Sequence, residues 1–279
     1  MKNNRLSRFA IPYVIWMALF VVAPIIMVVI YAFSASVGGF TLDNFAKMGT
    51  YTVVFTRSFK LALIATAICV LIGYPVSYMM SKEGPRFQRL AMVLIMLPMW
   101  MNFLLRTYSW MSILENNGLL NQFFRALGLD FLAKNWLTDT KLALLSVCGV
   151  EIWKWSGFNM VIILAGLQAV PPEYQEAATI DGANAWQRFW RVTFPLILPA
   201  FNNAFVNSLI GGLKVFDIIV ATTNGGPGVT TQVMNTMIYR SFSFNMQGEA
   251  NAGYVLLAVI VALFAVSSYS IIRKREVDL

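Results

Sequence analysis

An all-α membrane protein with six spans is the fold class this sequence predicts, and three observations carry it. Of 279 residues, 58% are hydrophobic and 12% charged, at a mean hydropathy of +0.65, a balance typical of chains that live in a bilayer. Six runs of about twenty or more apolar residues recur along the chain, each long enough to cross a membrane as a helix. Pro24, Gly73, Pro75 and Pro98 fall inside them, which spanning helices tolerate where neighbours re-satisfy the freed backbone groups.

The first run, Ile11 to Phe33, follows Lys2, Arg5 and Arg8. Ala32-Phe33-Ser34 fits a signal cleavage site, but the run is too long for a signal core, so a retained anchor is expected. The remaining runs lie near Ser58–Met80, Gln88–Met111, Lys141–Val170, Ala200–Ala221 and Asn251–Ile272. A single transmembrane domain over 1–279 is expected, with spans near 11–33, 58–80, 88–111, 141–170, 200–221 and 251–272. The absence of histidine excludes the usual zinc sites and His-based triads. Cys69 and Cys148 sit inside apolar runs, so no disulfide framework is implied. No GxxxxGK[ST] phosphate loop occurs, so ATP is not held here in that way. The net charge of +8 reads as basic loops facing anionic lipid rather than nucleic acid.

Lys and Arg set the orientation. The N-terminus, the Lys82–Arg89 loop, the segment between the fourth and fifth runs and the tail Arg273-Lys274-Arg275 hold eleven, against seven in the opposite loops. The positive-inside rule places both termini and that segment in the cytoplasm.

The segment Pro171–Pro199 is unusually rich in charges and helix boundaries. Pro171 and Pro172 suit the first turn of a helix, and Glu173 and Glu176 favour its N-terminus. Asp181-Gly182 marks a turn. A second short helix places Trp186, Phe189, Trp190 and Thr193 on one face and Gln187, Arg188 and Arg191 on the other. A helix-turn-helix on a membrane surface follows. Glu176-Ala177-Ala178, Gly182 and Pro195 have the spacing of the EAA loop, and here the chain resembles the membrane subunits of binding-protein-dependent ABC importers. Val192 and Phe194 replace the Ile and Leu of that pattern. The resemblance implies that this loop docks in a groove of an ATPase subunit. Ala177 and Ala178 would keep one face thin, Glu176 would meet a basic partner, and Gly182 would permit a turn that a side chain obstructs. An ordinary interfacial helix pair is the plain alternative.

Outside the spans, Phe40–Tyr51 and Asn116–Asn135 read as short amphipathic pieces. Thr223–Gly228 is a turn cluster, and Met234, Met237, Ile238, Ser241 and Phe242 then recur at helical spacing, as a lid or as an interfacial helix. Charges within the runs are costly unless partnered. Glu151 and Lys154, three apart, are placed to pair on one helix face, and Lys214 and Asp217 repeat the arrangement. Arg106 lies in the third run. These groups, with Trp153, Asn202, Asn203 and Asn207, are expected to line the bundle interior. Glu151, Trp153, Lys154, Asn207, Lys214 and Asp217 are the candidate solute path, and the alternative is that the pairs only lock helices together.

The resemblance is uneven. From Met1 to about Asn135 the chain looks like polyamine-uptake permeases, in FAIPYVIWMALFVVAPI, LIGYPVSYMMSK and LPMWMNFLLRTYSWMSILENNGLLN. From about Leu142 it looks like sugar permeases of the maltose and glycerol-phosphate type, in IWKWSGFNMVIILAGLQAVPPEYQEAATIDGA and GGLKVFDIIVATTNGGPG. Both imply the type I ABC importer permease fold in a bacterial plasma membrane. They also imply a second permease subunit, two ATPase subunits carrying ATP and magnesium, and an extracytoplasmic solute-binding protein. This chain is expected to hold no cofactor and catalyse no reaction. A sugar or polyol is the expected solute, because the acids in the runs are matched by bases and the asparagines suit hydroxyls. A polyamine is the alternative. A secondary transporter with Glu151 and Asp217 as proton sites is a rival of another class, and an enzyme a remote third.

Overall fold

A computed structural model describes residues 10–35 and 38–273. Lys2, Arg5, Arg8, Lys274 and Arg275, used above for orientation, lie outside the described residues. Among the described residues, five helices are long and apolar enough to cross a membrane, and six if the pair Pro85–Trp100 and Phe103–Ala126, bent by 90°, is counted as one span. Two compact units organise the described residues. One comprises the chain up to Phe55 with Met237–Ile260, the other Thr56–Thr236 with the chain from Val261 onward.

In the first unit, α1 (Ile11–Ala32) is apolar on all sides and none of its central window is buried, as expected of a helix that lies against lipid. Pro24 has no N–H to give the carbonyl one turn back, and the helix widens into a π turn at Ala18–Val22 just before it. The return from α1 is closed by α2 (Asp43–Met48), whose buried Asn44 donates to Ala32 O at 3.0 Å and Ser34 O at 2.9 Å. Phe33 packs between Phe40 and Phe45 at 5.5 and 4.8 Å. Lys47 pairs with Glu249 at 2.8 Å.

The second unit is built on α3 (Thr52–Ser81), α7 (Leu142–Ala169) and α10 (Phe194–Leu213), with α7 against α10 the most extensive helix pair. Asn159 and Ser208 exchange buried hydrogen bonds of 2.7 and 3.0 Å, and Ser77 donates to Met160 O at 2.7 Å. Interhelical bonds of this kind, with small residues at the contact, replace the hydrophobic drive that lipid removes. Gly212 lies so close to α3 that an added Cβ would come within 2.9 Å of the Ala62 backbone.

Two apolar runs expected as continuous spans are broken. In the third, Pro98 removes a helical donor; α4 (Pro85–Trp100) ends, Met101 is extended, and Asn102 caps α5 (Phe103–Leu114) by accepting from Leu104 N at 2.9 Å. In the fifth, Gly211 and Gly212 weaken the last turn of α10, Phe216 turns to φ −149°, and α11 (Asp217–Thr222) starts anew. After α5 comes α6 (Leu119–Ala126), anchored by Asn121, which is buried and bonds Lys134 O, Lys134 N and Trp136 Nε1. The residues recurring at helical spacing after Gly228 form α12 (Met234–Ser243). Met234, Met237, Ile238 and Ser241 are buried on it, so this face is core packing rather than a lid; Phe242 alone is partly exposed. The last long helix is α13 (Gln247–Arg273).

Candidate coupling surface and buried charge cluster

Between α7 and α10 lie α8 (Pro172–Ile180) and α9 (Ala185–Arg188), and α9 is not the separate short helix expected from sequence but runs on without a break through Phe189–Thr193 into α10. Pro171 caps α8, Pro172 occupies its first turn beside Glu173, and the turn predicted at Asp181-Gly182 is a Schellman close. Gly182 N–H bonds Thr179 O at 3.1 Å and Ala183 N–H bonds Ala178 O at 3.0 Å. Gly182 has φ +76°, yet a Cβ there meets nothing within 4 Å. The demand for glycine is therefore conformational, not the steric obstruction expected from sequence. Asn184 and Gln187 form a reciprocal capping box. Another π turn, Phe189–Thr193, precedes Pro195 just as the first precedes Pro24, for the same missing donor.

α8 is tied to the continuous α9–α10 run by Gln175, which donates to Thr193 Oγ1 at 2.6 Å, and by Arg188, which donates to Thr179 Oγ1. Glu173, Glu176, Ala177, Asp181 and Gly182 are exposed, and Ala178 and Pro195 are partly so. None of the three acids has a cation within 4.0 Å among the described residues. Ile180 is 86% exposed and Trp186 69%. Large apolar groups beside free carboxylates make a surface suited to a protein partner.

The charges inside the bundle are arranged differently. Glu151 is 1% exposed and both its oxygens are engaged: Lys154 Nζ stands at 2.6 Å and Trp155 Nε1 at 3.1 Å. The expected i,i+3 pair is thus present on α7. Trp155 packs against Gly211, where an added Cβ would come within 2.1 Å of its ring. The second expected pair, Lys214 with Asp217, does not form. The helix ends between them, Lys214 is exposed at the C-cap of α10, and Asp217 at the start of α11 is paired with Arg106 at 3.7 Å instead. Arg106 also donates to Pro98 O at 2.9 Å, satisfying a terminal carbonyl of α4. It therefore ties both helix breaks together, a role that sequence spacing did not reveal. Trp153 packs edge-on against Trp110 at 5.2 Å. Asn207 donates to Asn203 O at 2.8 Å, while Asn202 and Asn203 line a groove of about 600 Å³ with Val206, Val266 and Tyr269.

Residues 70–275 match the family described as binding-protein-dependent transport system inner membrane component. A multiple sugar-binding transport system permease of Streptococcus mutans is 36% identical over 153 residues, 54% of this chain and 53% of that protein. A spermidine/putrescine transport system permease of Haemophilus influenzae is 30% identical over 234 residues, 76% of this chain and 80% of that protein. Among solved structures, a chain of a bacterial alginate ABC transporter, crystallised in complex with alginate pentasaccharide-bound periplasmic protein, aligns with a TM-score of 0.83. That alignment covers 96% of this chain and 94% of that chain at 22% identity, which shows a shared fold. This all-α, multi-pass chain belongs to the inner membrane components of binding-protein-dependent transport systems, the permease subunits of ABC importers.

Proposed function

We propose that this permease subunit passes a neutral, hydroxyl-rich solute, a sugar or other polyol, from an extracytoplasmic binding protein to the cytoplasm. The observation that carries the choice is the balance of charge within the spanning runs. Glu151 is held by Lys154 and Asp217 by Arg106, while Lys214 has no carboxylate within 4.0 Å among the described residues. A polycation needs surplus carboxylate along its path, and this interior offers none. Amides beside an aromatic ring, as in the groove of Asn202, Asn203 and Tyr269, suit hydroxyls and a sugar face.

In this reading a second permease subunit completes the pathway, and two ATPase subunits hold ATP and magnesium. Closure of the ATPase pair pushes on segment 171–199, with both termini on the same cytoplasmic side. The segment moves as one piece through the Gln175–Thr193 and Arg188–Thr179 bonds. A polyamine is the second reading, favoured by the likeness to the Haemophilus influenzae permease over 76% of the chain. Uptake into vesicles with the cognate binding protein, using labelled oligosaccharide and labelled spermidine in parallel, separates the two. Sugar uptake that survives excess spermidine supports the proposal. Saturable spermidine uptake abolished by Asp217→Asn, without sugar uptake, overturns it.

A further inference from the structure

A cleft of about 310 Å³ opens between the C-terminal end of α3, the end of α7 and the α8–α9 pair. Its walls divide into two kinds. Leu167, Val170 and the rings of Tyr78 and Phe189 are apolar, whereas Ser81, Lys82, Gln175, Arg188 and Thr193 are polar. Two cations thus enter from different elements, and neither has a carboxylate within 4.0 Å among the described residues. Both are held in place without being neutralised. Lys82 Nζ rests 4.3 Å from the Tyr78 ring centre and makes no hydrogen bond among the described residues, so its ammonium donors remain available. Arg188 commits Nη1 to Thr179 and leaves the rest of its fork free.

We propose that this cleft binds a phosphate-bearing anion, with the headgroup of an anionic phospholipid as its source. Paired Lys and Arg donors are the recognition chemistry of phosphate, and basic pockets between spanning helices suit lipid headgroups. The apolar wall supplies what free phosphate does not use, a seat for the start of an acyl chain. Because the cleft is bounded by both α3 and the α8–α9 pair, an occupant bridges the spanning bundle and the segment read as the coupling element. That consequence rests on the proposed function, but binding itself does not.

The test uses the purified full chain alone in neutral detergent, so no ATPase or transport step enters. Dioctanoyl-phosphatidylglycerol, dioctanoyl-phosphatidylcholine and inorganic phosphate are titrated separately against tryptophan fluorescence. Phosphatidylglycerol is expected to bind at least about tenfold more tightly than phosphatidylcholine, with affinity falling as salt rises. Lys82→Gln and Arg188→Gln should each weaken it several-fold and the double variant abolish it, while Lys82→Arg, the control for folding, retains it. Equal affinity for the two lipids, or undiminished binding by the double variant, would overturn the proposal. Inorganic phosphate that binds as tightly, and is lost in the double variant, would overturn the lipid as source.

Discussion

The loop between α7 and α10 and the charged interior of the bundle place ionisable groups under opposite regimes. In the loop, Glu173, Glu176 and Asp181 stand in the open without cations, and the backbone is closed by purely local devices: a proline start, a Schellman turn and a capping box. In the interior each carboxylate has a basic partner, and that partner is chosen by tertiary structure as often as by spacing. Glu151 takes its neighbour on an unbroken helix, whereas Asp217 ignores Lys214 and reaches Arg106. Spacing rules decide pairing only as far as the helix continues. Where Gly211-Gly212 and Pro98 interrupt it, the partner comes from elsewhere.

The largest effect that sharpens this contrast is expected at Glu151. Glu151→Leu leaves the partly buried Lys154 ammonium without its carboxylate and should cost about 3 kcal/mol of stability. The double replacement with Lys154→Leu should recover most of it; thermal unfolding in detergent reads both. In the loop, Asn184→Ala removes one half of the capping box and should cost about 1 kcal/mol locally. Faster hydrogen exchange at Gln187 with unchanged global unfolding is the expected signature.

A smaller effect separates the two possible partners of Asp217. A double-mutant cycle of Arg106→Gln with Asp217→Asn should give a coupling of about 0.5–1 kcal/mol, and the cycle of Lys214→Gln with Asp217→Asn none. The reverse result would restore the spacing rule across the break. The smallest effect lies outside the bundle at Asp139, whose carboxylate accepts from the backbone N–H groups of Lys141 and Leu142 at 2.8 and 3.0 Å, ahead of α7. Those bonds hold its carboxyl below the usual range. A depressed value in the folded state contributes stability above the unfolded value of about 3.9, lost as pH falls through the folded value. Exchange at Leu142, corrected for intrinsic rate, should therefore be flat from pH 8 to about 4 and rise below. Asp139→Asn should remove the step.

Much of the architecture was legible because bilayer physics is blunt: twenty apolar residues in a row admit few alternatives. The helix-turn-helix of segment 171–199 was legible for a different reason, since Pro172, Asn184 and Gln187 each act within four residues of their own position. Even there the sequence suggests a steric demand at Gly182, whereas the structure shows one of φ. The breaks at Met101 and Phe216 escaped because hydropathy does not register them. The work of Arg106 escaped with them, since its two partners lie eight residues and more than a hundred residues away. The π turns before Pro24 and Pro195 carried a usable signal, a proline about one turn inside a span.

The central claim is that segment 171–199 is the surface through which an ATPase acts on this permease. Co-purification of the ATPase subunit with wild type, Gly182→Asn and Gly182→Leu measures it most directly, with membrane insertion as the control. Asn tolerates the left-handed conformation and Leu does so at a cost of about 1–2 kcal/mol. Equal insertion of all three, near-normal capture by the Asn variant and about tenfold weaker capture by the Leu variant is the predicted result. Undiminished capture by the Leu variant at wild-type insertion would contradict the account.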